Sequence, residues 1–161
     1  MPIPHIPEQT TFIEAGAVTF GVEHRVLNYN IVADYMGKEK AGVYKELDDG
    51  GLSIHVYGTQ GKDLVEYLRF DCFEKSPHYH YIFPQPGVKA LRYPMDPVAE
   101  ADIIGWTIER LRTRLVPMLV RAGAEELARK VDPRAIEAAL PRLEKAIDRV
   151  MRQGQAASQP S

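Results

Sequence analysis

Between Thr10 and Met95 apolar and polar residues alternate with a period of two, broken at short intervals by turn residues. The alternation predicts strands at Thr11–Thr19, His24–Asp34, Gly42–Leu47, Leu52–Gly58, Val65–Phe73 and His78–Phe83, with a seventh, weaker segment at Lys89–Tyr93. Valine, isoleucine, tyrosine and phenylalanine dominate these runs and suit a pleated, half-buried surface. No helical spacing intervenes, so an antiparallel meander is expected. After Asp96 the period changes. Ile104, Ile108, Leu111, Leu115 and Met118 form one stripe at helical spacing, and Ile136, Leu140, Leu143, Ile147 and Val150 form another. Asp96-Pro97 and Asp132-Pro133 each read as a helix start, the aspartate as N-cap and the proline where no N–H is needed. Pro117 and Pro141 predict a kink or break, since an interior proline costs a helix ~3 kcal/mol. Ala122-Gly123-Ala124 should end the first helix, leaving a short turn at Glu125–Lys130. Each stripe must be buried, and the sheet's apolar face is the partner at hand. The expected class is α+β: a meander sheet of about six or seven strands, then two amphipathic C-terminal helices on one of its faces.

Two hairpins can be registered. Asp48-Asp49-Gly50-Gly51 offers turn residues, which would set Leu47 opposite Leu52, Val43 opposite Val56 and Tyr44 opposite His55. A second turn at Glu74-Lys75-Ser76-Pro77 would pair Phe73 with His78, Cys72 with Tyr79, Asp71 with His80, Phe70 with Tyr81 and Leu68 with Phe83. That register gives one apolar face. It places Arg69, Asp71, His78 and His80 on the other, and a one-residue slip would mix the two. By the same phase, His24, Asn28 and Asn30 oppose Leu27, Tyr29, Ile31 and Ala33. His55 opposes Leu52, Ile54 and Val56.

Composition sharpens the division. Of 14 aromatic residues all but Trp106 precede Pro97, as do all five histidines, whereas alanine numbers 5 up to Asp96 and 11 beyond it. Residues 1–96 carry 9 basic and 13 acidic side chains, residues 97–161 carry 11 and 9. The net charge of -2 offers no basic field for nucleic acid or an anionic membrane. No run approaches the ~18 apolar residues of a membrane span. Cys72 is the sole cysteine, which fits a reducing compartment. The start, with three prolines in seven residues, lacks the features of a secretory signal. A cytoplasmic protein is expected, with an extended arm at 1–10, a single domain at 11–153 (sheet 11–95, helices 96–153) and a disordered tail at 154–161.

The densest chemistry lies in Arg69-Phe70-Asp71-Cys72-Phe73 followed by Pro77-His78-Tyr79-His80-Tyr81. This hairpin resembles the core of an uncharacterised bacterial domain family that shares an F-D-x-F…P-H-Y-H-Y segment; the resemblance implies no mechanism. Histidines at i and i+2 on a strand project to one side and can converge on one metal ion. A divalent transition metal such as zinc would accept both imidazoles, with Asp71 as third ligand or as the acceptor that orients His80. His24 and His55 complete such a set only if their strands flank the hairpin. The His-x-His strand partly resembles a cupin's, but Tyr81–Pro86 lacks the glutamate a cupin carries downstream. Without metal, the same residues suit acid/base chemistry of a hydrolase kind, with His80 as base, His78 as acid and Arg69 for a developing anion. No activated nucleophile stands out, and Cys72 is placed on the apolar side.

Two simpler readings compete. An antiparallel sheet commonly leaves one face in water, where histidine, arginine and aspartate are ordinary. A binding or accessory domain would use the same face, with Asp71, His78, His80, Arg69, His24 and His55 on it and Tyr67 in phase with Arg69 and Asp71. Tyr44, Tyr57 and Tyr93 are further candidates to line such a pocket. Binding of a ligand or partner is the leading expectation, and enzymatic use the alternative. Arg110, Arg114 and Arg121 share one side of the first helix and could meet an anion, or form a solvated face with Arg112. The helical stripes could also serve a homodimer. Phosphate-loop, dinucleotide, zinc-finger and serine-nucleophile signatures are absent, and Gly58-Thr59-Gln60-Gly61-Lys62 is only a loop.

Overall fold

Six antiparallel strands follow one another across a single sheet in chain order: β1 (Thr11–Ala15), β2 (Val18–Asn28), β3 (Asp48–Gln60), β4 (Asp63–Phe73), β5 (His78–Tyr81) and β6 (Leu91–Pro94). The structure, a computed structural model, describes residues 3–158. Among the described residues five α-helices accompany it: α1 (Tyr29–Met36), α2 (Ile103–Thr113), α3 (Leu115–Arg121), α4 (Glu125–Lys130) and α5 (Pro133–Ser158). The expected α+β class and meander are present. Alternation sends Ile13, Phe20, Val22, Leu52, Ile54, Val56, Leu68 and Phe70 to one face. There they meet Leu111, Leu115, Leu119, Leu140, Leu143 and Ile147 of the helices in one core. The two stripes are thus buried within one chain, against the sheet.

The region before β3 departs from expectation. His24–Asp34 is not one strand. Asn28 caps α1, its side-chain oxygen accepting the Ile31 N–H at 3.1 Å, and Gly37 at φ 89° ends the helix. Asparagine is among the strongest N-caps, and here it overrides a plausible period of two. The expected strand at Gly42–Leu47 is a 3-10 turn at Lys40–Tyr44. Asp48-Asp49-Gly50-Gly51 is not a turn but the start of β3, which pairs with β2 from Thr19↔Tyr57 to Asn28↔Asp48. Val43 and Tyr44 therefore pair with nothing in the sheet.

The two glycines serve close approach instead. A Cβ on Gly50 would lie 2.6 Å from the Arg25 carbonyl oxygen. On Gly51, at φ 145°, it would lie 2.9 Å from that of Cys72. Both neighbours are backbone and cannot rotate away. Gly51→Ala should therefore cost about 1–3 kcal/mol in urea denaturation, whereas Gly42→Ala, with open space at its Cβ, should stay within about 1 kcal/mol.

The helical half begins later than its first Asp-Pro pair predicts. Asp96 accepts the N–H groups of Val98 and Ala99 but caps only a turn. Asp102 caps α2 through Gly105 N–H at 2.9 Å. Asp132 begins α5 as expected, accepting Arg134 N–H at 3.0 Å. The first stripe breaks at Arg114, three residues before Pro117, where a proline ring would strike the carbonyl one turn back. α5 runs through Pro141 and continues to Ser158, so the tail expected from Gly154 is helical that far; residues 159–161 lie outside the described residues. Gly154 allows this. It faces the His24 ring so closely that a Cβ would sit 2.3 Å from it. The N-terminal arm makes a 3-10 turn at Pro7–Gln9, while Met1 and Pro2 lie outside the described residues. Among the described residues no helix is long and apolar enough to cross a membrane.

Candidate functional site

The second face of the sheet was expected to meet water, yet it is buried. Glu23, Ser53, His55, Arg69, Asp71, His78 and His80 are each less than a tenth exposed. The arm, α1 and the 3-10 turn after it roof the face, with Val32, Ala33 and Ala41 packed against Ile3, Leu27, Met36 and Leu47 in a second small core. Burying so many polar groups demands internal partners, because each unpaired one costs kilocalories. Two connected networks supply them.

The first is built around His55 on β3. Its Nδ1–H donates to Glu66 Oε1 at 2.5 Å and its Nε2–H to Glu23 Oε1 at 3.1 Å. Burial pulls the His55 pKa down, but the hydrogen bonds to Glu23 and Glu66 outweigh it and hold the ring as an imidazolium. Arg69 grips Glu66 with two bonds of 2.7 Å and donates a third to the Ile3 carbonyl at 2.6 Å. Burial opposes the Glu66 charge, yet the bonds from His55 and Arg69 lower its pKa to about 2. A β-bulge makes this possible. The β3–β4 register shifts between Val56 and Tyr57, leaving Tyr67 as the extra residue. In a regular strand Glu66 and Arg69 would point to opposite faces. The bulge brings them to one face and turns Tyr67 into the helix-side core, where it is 8% exposed. Tyr67 is therefore not in phase with Arg69 and Asp71.

The second network is Asp71, His78 and His80. The turn expected at Glu74–Pro77 gains two residues on its β4 side, Cys72 and Phe73, and the observed pairs are Asp71↔His78, Phe70↔Tyr79, Arg69↔His80 and Leu68↔Tyr81. The shift is two residues, so both faces keep their members while Asp71 moves opposite His78. The cause lies in Asp49, whose carboxylate accepts the N–H groups of Lys75 and Ser76 at 3.0 and 2.9 Å and folds the loop onto β3. Asp71 Oδ1 accepts from Ser53 Oγ at 2.5 Å. Its Oδ2 faces Nε2 of His78 at 3.1 Å and Nε2 of His80 at 3.4 Å. His78 Nδ1–H donates to the Ser76 carbonyl at 2.8 Å, which fixes that ring. Burial disfavours the Asp71 charge, but the two imidazoles and Arg69 hold its pKa well below the usual range. Burial lowers the pKa of His80. Its Nδ1 is buried without a partner among the described residues.

One potential ligand atom from each of Asp71, His78 and His80 falls within 4.8 Å of the others. His55 does not join them, being taken up by its two glutamates with Arg69 between it and His80. Nor does His24. It pairs with Leu52 on the helix face, where its ring meets Gly154 of α5. The phase assigned to that strand was inverted because Leu27 packs under α1 rather than against the C-terminal helices. His5 arrives from the arm, its Nδ1 2.9 Å from Tyr57 Oη. Of the other tyrosines, Tyr44 lines the cavity described next, while Tyr93 stacks on Tyr79 on the helix side. Cys72 contacts Thr107 of α2, and burial pushes its thiol up to about 12, far from a nucleophile.

Between this polar floor and the α1 roof lies a cavity of about 250 Å3. Asp71, His78, His80 and Arg69 form its floor, Arg25 and Arg92 its flanks, and Leu27, Val32, Met36, Leu47 and Phe73 its apolar lining. Sequence reasoning missed Arg25, Glu23, Ser53 and Glu66. Ser53 was legible two residues before His55 on the same strand; Glu66 was not, because only the bulge brings it to this face.

A six-stranded meander with helices on one face, and a small capped cavity on the other, defines a two-layer α+β domain with an interior polar site. The chain belongs to the family described as domain of unknown function DUF7700, which matches residues 12–147. No curated protein and no solved structure matches it.

Proposed function

We propose that the protein binds a small carboxylate-bearing molecule with an apolar body in the cavity above Asp71, His78 and His80. The observation that carries this reading is a partly open cavity of about 250 Å3 with one polar and one apolar wall, the usual form of a small-ligand site. Three guanidinium groups line it against two carboxylates. One of these, Asp49, is engaged by backbone N–H groups, and Asp71 by Ser53 and the imidazoles. Arg25 and Arg92 are the least compensated. Arg25 reaches Glu23 only at 3.4 Å, and Arg92 reaches Ser76 Oγ at 3.3 Å. An incoming carboxylate complements them, and Leu27, Val32, Met36 and Leu47 receive its hydrocarbon. A thermal-shift screen of short-chain and aromatic carboxylates against their amides checks this. Carboxylates alone should raise Tm, and the rise should vanish in Arg92→Gln and in Met36→Trp, which fills the cavity from the roof. A rise that survives both variants would place the ligand elsewhere.

A second reading gives the same floor a divalent transition metal such as zinc, and the protein a small hydrolytic or acid/base activity. It is favoured by the convergence of two imidazole Nε2 atoms on one carboxylate oxygen. Ser76 and Ser53 hold His78 and Asp71 as outer partners hold metal ligands. Protein purified without a histidine tag should bind about one equivalent of zinc or nickel in calorimetric titration, and His80→Ala should lose it. Wild-type protein with no measurable affinity for either ion removes the metal reading and leaves carboxylate binding standing.

A further inference from the structure

On the other side of the sheet, where α2 and α3 meet β5, lies a second hollow of about 410 Å3. The arginines that share one side of the first stripe, Arg110, Arg114 and Arg121, all line it, with Trp106, Tyr81 and Thr113. No carboxylate is among its lining groups. Arg110 stands on α2, Arg121 on α3 and Arg114 at the break between them, and the grouping set by their spacing persists across that break.

Two of these cations are held in place by aromatic rings rather than by acids. The Arg110 guanidinium carbon lies 4.9 Å from the Trp106 ring centroid. That of Arg121 lies 4.7 Å from Tyr81 and 4.9 Å from Tyr93, whose hydroxyl accepts its N–H. Among the described residues none of the three makes an ion pair, and Arg110 Nε is buried without any partner. The contrast on the same helix is Arg112, which bonds Glu109 and Glu137 on the far side. The local acids therefore serve the solvated face, and the concave face keeps an uncompensated charge of three. Guanidinium forks match the oxygens of a phosphate, and ring stacking prepares them at little entropic cost.

We infer that this hollow binds an oxyanion of the phosphate class, as inorganic phosphate, a phosphomonoester or a diphosphate. A single carboxylate would answer only one of three cations; a doubly charged tetrahedral group, or two linked ones, answers the set. The site is separate from the carboxylate cavity and does not depend on it.

Trp106 is the chain's only tryptophan and reports directly on Arg110. Inorganic phosphate and pyrophosphate are titrated at constant ionic strength against sodium chloride, read by tryptophan fluorescence and, in parallel, by calorimetry. The expected result is saturable binding, tighter for pyrophosphate, weakened about tenfold or more in Arg114→Gln and in Arg110→Gln. Arg134→Gln, on α5 and outside the hollow, should bind like wild type. Arg114 is exposed, so its loss leaves the fold intact. Absence of saturable binding by both methods overturns the inference, as does binding that persists unchanged in Arg114→Gln and Arg110→Gln.

Discussion

Replacing Glu66 by alanine is expected to destabilise the protein by about 3–5 kcal/mol, the cost of leaving buried charges without their partner. Glu66 neutralises two cations at once. Arg69, 2% exposed, grips both of its oxygens, and His55, fully buried, donates to one of them. Without the carboxylate Arg69 keeps only the Ile3 carbonyl, and His55 keeps only Glu23. Urea denaturation of Glu66→Ala beside Glu109→Ala makes the comparison direct. Glu109 also pairs with an arginine, but with side chains 46% and 40% exposed, and its loss should cost less than about 1 kcal/mol. Equal costs in the two variants would mean that the buried network does not hold the polar face together.

Stability should fall toward both acid and alkali, for different members of the same network. Glu66 titrates near 4.5 when unfolded and at about 2 when folded, so its contribution is complete above about pH 4.5 and is lost as pH falls toward 2. The shift corresponds to about 3 kcal/mol. Glu23, also lowered, adds to the same acid limb: burial opposes its charge, and the bond from His55 prevails. His55 works in the other direction. Its folded pKa is raised above 6.5, so its contribution is complete below 6.5 and is lost as pH rises through the folded value. His5 is lowered, first by burial and then by the charge of His55 beside it, which adds a shallow decline below 6.5. The network is therefore strongest on the acidic side of neutrality. Denaturation across pH 3–9 should show both limbs in wild type. In His55→Gln the alkaline limb should disappear while a smaller acid limb remains, held by the bonds from Arg69 to Glu66. An alkaline limb unchanged in that variant would show that the imidazolium does not form.

Much of this site was legible from local pattern. Alternation alone put Asp71, His78 and His80 on one face, and the two-residue register error left that grouping intact because the strand period is two. It also placed His55 correctly. The failures share a cause. His24 was assigned to the wrong face because the apolar residues near it, Leu27 and those of α1, belong to the small second core and not the main one. Tyr67 was misread and Glu66 missed because a bulge adds one residue and inverts the phase beyond it. Asp49, Gly50 and Gly51 read as a turn because the same residue types serve turns and tight strand contacts. Their true use depends on Arg25 and Cys72, which approach from other strands.

By itself, the chain determines a sheet half and a helix half, the burial of the helical stripes, and the histidine–aspartate grouping on β4 and β5. Each follows from periods of two and 3.6 that operate between near neighbours. Only the tertiary structure decided that the polar face is roofed, that Glu66 and Glu23 hold His55 charged, and that a cavity stands over His78 and His80. A strand's period says which side a residue points to. What lies above that side is set by groups far away in the chain, such as the Ile3 carbonyl that receives Arg69 from 66 positions off.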